Sequence, residues 1–193
     1  MDNQSEVFYE IEVKSVFNAD RYKEIEALLK NDPKFRLFNE DSIVTYFYKD
    51  KTGNDVRLRH SDKIIEFVYK KGLVTKYCRK EVKIPLNSLD QINHFIQVFD
   101  HLPLEKQRGT LKHKKEYWLN YNGFDYCVCL QFIEDFAYIV EVEYLAEKEE
   151  ASELHIPNIL AIMQSLNLPV IDGDKFMARV FDYINGANTI NYE

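Results

Sequence analysis

Charged and apolar residues alternate with a period of two at several separate places in this chain. That recurrence limits the fold more than any other feature. In an extended strand successive side chains point to opposite faces. Glu10, Glu12 and Lys14 therefore share one face of Glu10-Ile11-Glu12-Val13-Lys14, and Ile11 and Val13 share the other. One such strand is what any half-solvated sheet contains. Here the arrangement returns. Val56-Arg57-Leu58-Arg59 puts both arginines together, and Glu66 and Lys70 oppose Ile65, Phe67 and Tyr69. Arg79, Glu81 and Lys83 oppose Cys78, Val82 and Ile84, while Lys112 and Lys114 share a face. Ile139-Val140-Glu141-Val142-Glu143 repeats the opening pattern.

The remaining sequence separates these strands into small groups. Asn18 is placed to cap a helix through about Lys30, with Tyr22, Ile25, Leu28 and Leu29 on one face. β-Branched and aromatic residues predict a strand over 42–49, and Lys51-Thr52-Gly53-Asn54 is turn chemistry. Residues 56–60 and 64–71 read as a hairpin, and 77–84 as a strand stopped by Pro85. Asn87 or Ser88 caps a helix carrying Leu89, Ile92, Phe95, Ile96 and Phe99. Strands follow at 110–119, 124–132 and 136–145, with Asn122-Gly123 as a hairpin turn. Pro157 suits the first turn of a helix ending near Leu166, and a last helix spans about 174–184.

Composition excludes several classes. The 193 residues fit one domain, 1–193, and an apolar share of 46% is globular. No apolar run reaches the roughly 20 residues of a membrane span, and Met1-Asp2-Asn3-Gln4 opens no signal peptide. Three cysteines suit a reducing cytoplasm better than a disulfide framework. Cys127-Val128-Cys129 lacks the spacing of a zinc site, so both thiols read as packing residues. A net charge of −7 argues against a nucleic-acid polymer as partner.

Against that acidic background the collected polar face is rich in cations. It holds Glu10, Glu12, Glu81, Glu141 and Glu143 with Lys14, Arg57, Arg59, Lys70, Arg79, Lys83, Lys112 and Lys114. Such a face binds a polyanion, with metal ions balancing its carboxylates. The expected fold is α+β: an eight-stranded antiparallel β-barrel with helices packed outside and the charged face inward. The alternative is an open sheet with one wet face.

These elements, taken in order, resemble the CYTH or triphosphate tunnel metalloenzyme superfamily. The amino-terminal Glu-x-Glu-x-Lys element is Glu10, Glu12 and Lys14. A Leu-Arg-x-Arg-like element follows at Val56–Arg59, then a strand lysine at Lys70 (or Lys71). Arg79 and Glu81 form an Arg-x-Glu element; Lys112, Lys114 and Tyr117 match Lys-x-Arg-x-x-Tyr; Glu141 and Glu143 end the series. The chain departs from the pattern at Gln131 (Asp in the family), Ala137 (Gly), Lys83 (an acid), Lys114 (Arg) and Lys175-Phe176 (Ser-Tyr).

The resemblance implies a tunnel that holds a triphosphate end-on. It assigns Mg²⁺ or Mn²⁺ to Glu10, Glu12, Glu141 and Glu143. It gives the phosphates to Lys14, Arg57, Arg59, Lys70, Arg79, Lys112 and Lys114. Glu81, Glu141 and Lys14 become the catalytic candidates, with Glu81 or Glu141 accepting a proton. The activity implied is hydrolysis of inorganic, nucleoside or thiamine triphosphate by a monomer or homodimer. Class IV adenylyl cyclase, or a non-catalytic polyphosphate- or nucleotide-binding module, are the alternatives.

Overall fold

A computed structural model describes residues 6–190 of the protein. The opening tetrapeptide, and both ends of the 1–193 span, lie outside the described residues. Eight long strands are joined by four helices. They are β1 (Glu6–Phe17), α1 (Ala19–Asn31), β2 (Phe35–Lys49), β3 (Asp55–His60), β4 (Ile65–Lys70), β5 (Cys78–Pro85) and α2 (Leu89–Phe99). After the two-residue β6 (Glu105–Lys106) come β7 (Thr110–Tyr121), β8 (Phe124–Ile133), β9 (Ala137–Ala146), α3 (Ser152–Ser165) and α4 (Gly173–Ile184).

Every pairing is antiparallel, and the order β3-β4-β5-β1-β9-β8-β7-β2 returns to β3. The sheet is therefore a closed eight-stranded barrel, with β6 paired beside the end of β2. The first and last long strands are neighbours, with Glu12 opposite Glu143 and Lys14 opposite Glu141. Parity does the rest. Once Ile11 and Val13 face the outer core, the alternating charges must face the lumen.

Helices cover the outside as the apolar parity requires. Ile25 and Leu29 of α1 and Ile159, Ile162 and Met163 of α3 pack on the outward residues of β1, β7, β8 and β9. Ile92 and Phe99 of α2 meet Tyr48, Val56 and Leu58. Fully burying side chains of this size contributes about 1.5–3 kcal/mol each. Asn18 caps α1 by accepting from the Arg21 amide, and Asn122 and Gly123 turn the β7–β8 hairpin at φ 52° and 81°. No helix among the described residues is long and apolar enough to cross a membrane.

Three elements differ from expectation. β2 begins at Phe35 rather than near residue 42; its first half pairs with β7 across an irregularity at Leu37/Asn39 that breaks the alternation. α3 begins at Ser152, so Pro157 lies inside the helix and not in its first turn. A proline there removes one helical hydrogen bond, and the buried His155, Ile159 and Ile162 hold the helix to the barrel regardless. β6 was too short to carry a periodic signal.

Candidate functional site

The barrel encloses a cavity of about 330 Å³. Every residue expected on the charged face lines it: Glu10, Glu12, Lys14, Arg57, Arg59, Lys70, Arg79, Glu81, Lys83, Lys112, Lys114, Glu141 and Glu143. Lys70 is the inward lysine at 5% exposure; Lys71 is exposed. Glu66, which the alternation puts on the face of Lys70, joins them, and Asp55, Glu116, Lys49 and Arg108 do so unanticipated. Asp55 and Glu116 each lie one step of the period beyond a motif residue, so extending the parity finds them. In all, ten cationic and eight anionic side chains line a protein of charge −7, so the positive excess is local to the lumen. Tyr117 turns outward into the helix-covered core instead.

Ion pairs organise much of this lining. Asp55, 1% exposed, meets Arg57 at 2.5 Å, Lys49 at 3.0 Å and Arg79 at 3.1 Å. Burial alone would raise its pKa, but these cations hold the carboxyl well below the usual range. Arg79 also reaches Glu12 at 2.9 Å. Lys70 pairs with Glu10 and, at 2.8 Å, with Glu81, while Lys14 pairs with Glu12 and lies 3.4 Å from Glu141. Arg59 contacts Glu66 at 2.8 Å, and Lys114 contacts Glu116 at 2.7 Å. Burial pushes Glu81 up, but Lys70, Lys83 and Arg59 win and bring it to about 2. A carboxylate so stabilised is a weak proton acceptor.

Two groups stand outside this network. Among the described residues, Lys112 has no carboxylate within 4 Å, and burial lowers its pKa. Glu143 has no cation within that distance. Burial, then Glu10, Glu141 and Glu12, push its carboxyl up to about 8. Oxygens of Glu10, Glu12 and Glu143 all lie within 4.8 Å of one another. An all-carboxylate donor set with one member lacking a counter-charge fits a hard divalent cation. Glu141 lies outside that cluster; it takes the Gln131 amide as donor and Lys14 as ion partner.

Apolar residues line the rest. α4 lies over one end of the barrel, where Phe176 and Tyr183 pack on Phe136, and Met177, Val180 and Ile184 also reach the cavity. The Tyr183 hydroxyl donates to the Gly109 carbonyl at 2.9 Å, and Arg108 stacks 4.1 Å from the Tyr183 ring. A Cβ at Gly109 would sit 2.8 Å from the Thr45 carbonyl oxygen, so only glycine fits this approach. Cys127 and Cys129 are buried, as packing residues would be. They are buried on the inward parity with Gln131, not in the outer apolar core, and burial followed by Glu143 raises both thiols.

The sequence matches no protein-family model, and comparison with curated proteins finds no relative. Solved structures do match. The PH1819 protein of Pyrococcus horikoshii OT3 superposes with a TM-score of 0.65 at 16% identity, over 84% of this chain and 93% of its own. The PH1012 protein of the same organism gives 0.62 at 17% identity, over 83% and 91%. A Vibrio parahaemolyticus protein, provisionally named an adenylate cyclase, gives 0.60 at 15% identity, over 88% and 98%. The fold is shared. The barrel architecture expected from the sequence is thus one that solved structures share, and identities this low carry nothing about activity.

Proposed function

We propose that the protein is a metal-dependent hydrolase of triphosphates held in the barrel lumen. One observation carries this reading: the same cavity contains a lysine, Lys112, and a glutamate, Glu143, that form no ion pair within 4 Å among the described residues and feel opposite charges only from farther off, Glu141 for the lysine and Lys70 for the glutamate. A triphosphate carrying a divalent cation satisfies both at once. Lys14, Arg57, Arg59, Lys70, Arg79, Lys112 and Lys114 clamp phosphate oxygens and offset the charge that builds during in-line displacement. Glu10, Glu12 and Glu143, with Glu141 beside them, are the residues that would hold Mg²⁺ or Mn²⁺. When bound, such an ion supplies Lewis-acid polarisation of a phosphoryl oxygen and lowers the pKa of water.

Within this reading Glu141 accepts the proton of the attacking water, because Glu81 is tied to Lys70 and held near 2. Lys14, between Glu12 and Glu141, orients both carboxylates. Glu81 in turn positions Lys70 and Arg59. We read 1–193 as one such domain, acting as a monomer or homodimer in a reducing cytoplasm where Cys78, Cys127 and Cys129 stay free. A small-molecule triphosphate is the partner, with no nucleic-acid polymer or membrane.

The test is direct. Purified protein is incubated with tripolyphosphate, ATP and thiamine triphosphate under Mg²⁺ or Mn²⁺, and every product is identified. Orthophosphate released from the terminal position, and lost with EDTA, is the expected result. Cyclic AMP with pyrophosphate from ATP would make the protein a class IV adenylyl cyclase. Tight binding without any product would make it a binding module, a reading that the neutral Gln131 amide on Glu141 favours.

A further inference from the structure

Cys127 faces Glu143 directly across the β8–β9 ladder, and Glu116 stands diagonally on β7, whose partner on β8 is Cys129. Diagonal and direct neighbours on one sheet face are close enough for long side chains to converge. They do so here. The Cys127 Sγ and one oxygen each of Glu116 and Glu143 lie within 4.8 Å of one another. Cys127 is 5% exposed and makes no hydrogen bond among the described residues, whereas Cys129 accepts one from Gln131 at 3.4 Å. A buried thiol aimed between two carboxylates, with nothing to bond, is unexplained by packing or by the phosphate clamp.

We propose that Glu116, Cys127 and Glu143 form a three-ligand site for a borderline-soft divalent cation of the zinc class. Ligands at zinc bond lengths in tetrahedral array stand about 3.6 Å apart, so small rotamer changes close the site and leave a fourth position for water. Outer contacts already orient one ligand: Glu116 Oε2 accepts from Asn39 at 2.6 Å and pairs with Lys114 at 2.7 Å. Such second contacts tune ligand geometry and affinity. The thiolate sets the preference, since sulfur favours zinc-class ions over Mg²⁺. Glu143 also belongs to the Glu10–Glu12 cluster. Occupancy by zinc therefore draws a ligand from the oxygen-only cluster and opposes any Mg²⁺ bound there. The site is read from the thiol geometry and stands whether or not the protein cleaves triphosphates.

Cobalt tests it without an activity assay. The EDTA-stripped full chain is titrated with Co²⁺ while near-ultraviolet thiolate-to-cobalt charge-transfer absorption is recorded. The expected result is one equivalent of a band that Zn²⁺ displaces and excess Mg²⁺ does not. Cys127→Ser, an isosteric change, should abolish the band; Cys129→Ser and Glu12→Gln should keep it. Glu116→Gln should weaken Co²⁺ binding about tenfold or more. Circular dichroism and thermal melts of each variant separate loss of ligand from loss of fold. No band in folded wild-type protein, a band that survives in Cys127→Ser, or one lost in Cys129→Ser instead would overturn the assignment.

Discussion

The two halves of the lumen wall are built differently. On β1, β3, β4 and β5 almost every charge meets its opposite. Asp55 sits among three cations, Arg79 spans Glu12 and Asp55, and Lys70 joins Glu10 to Glu81. On β7, β8 and β9 pairing thins. Lys114 pairs with its own neighbour on the strand, Glu116, and β8 contributes the Cys129 thiol and the Gln131 amide instead of charges. Lys112 and Glu143 form no ion pair within 4 Å among the described residues. The first half is organised before any ligand arrives, so its groups are already aimed. The second half carries charges that cost free energy where they stand, and a ligand bearing both signs would relieve them. Perturbed, unpaired groups beside a rigid paired frame are what a site looks like before it is filled.

Removing a member of each half should therefore have opposite consequences. The largest effect is expected in the paired half. Arg79→Ala leaves Asp55 and Glu12, 1% and 4% exposed, without their shared cation. Breaking a buried pair from one side costs about 3–5 kcal/mol, a large part of a domain's stability. Urea unfolding followed by circular dichroism should show the loss. A variant as stable as the wild type would mean that the network is ornamental and the contrast between the halves is false.

In the unpaired half the same class of change should spare the fold and harm the ligand. Lys112→Met removes a half-buried cation that forms no ion pair within 4 Å among the described residues, so stability should hold or rise. Affinity for tripolyphosphate should fall by about ten- to a hundredfold, the equivalent of one charge-assisted hydrogen bond of about 1.5–3 kcal/mol. Calorimetric titration of both variants, corrected for the folded fraction, reads the difference. Unchanged affinity in Lys112→Met would move the ligand away from β7.

How much of this was visible beforehand follows from what periodicity can encode. The barrel and its polar face were legible because each strand repeats charge every second residue, and a closed sheet is the arrangement that gathers those faces. Asp55 and Glu116 were missed although each continues the parity of Arg57 and Lys114. Arg108 sits in the loop before β7, where no period exists to reveal it. Cys127 was legible in place but not in role: the alternation puts it opposite Tyr126, Val128 and Leu130, yet a thiol counts as apolar in any hydropathy pattern, so it read as a packing residue. The start of α3 was hidden by the charged run Glu147–Glu150, and Pro157 mimicked a first-turn residue that packing places mid-helix.

The outer face of the same wall supplies the smallest test and the clearest control. His155 of α3 is 3% exposed, stacks 3.6 Å from Tyr144, and shares a 2.8 Å hydrogen bond with the Tyr126 hydroxyl. Among the described residues no cation or carboxylate pairs with it, so burial lowers its pKa, the reverse of what partners do for buried Lys70 and Arg79 in the lumen. Below pH about 6.5, the ordinary histidine value, the unfolded chain binds a proton that the folded protein refuses. Stability is then fully present above that pH and falls as pH drops toward the lowered folded pKa. His155→Phe keeps an aromatic ring against Tyr144 and deletes the titration. Urea midpoints from pH 8 to pH 5.5 should fall more steeply for the wild type than for this variant, and the difference cancels every other titrating group. Parallel curves would show that the outer wall tolerates an unpaired charge as readily as Lys112 is tolerated inside. The lumen's unpaired groups would then need no ligand to explain them.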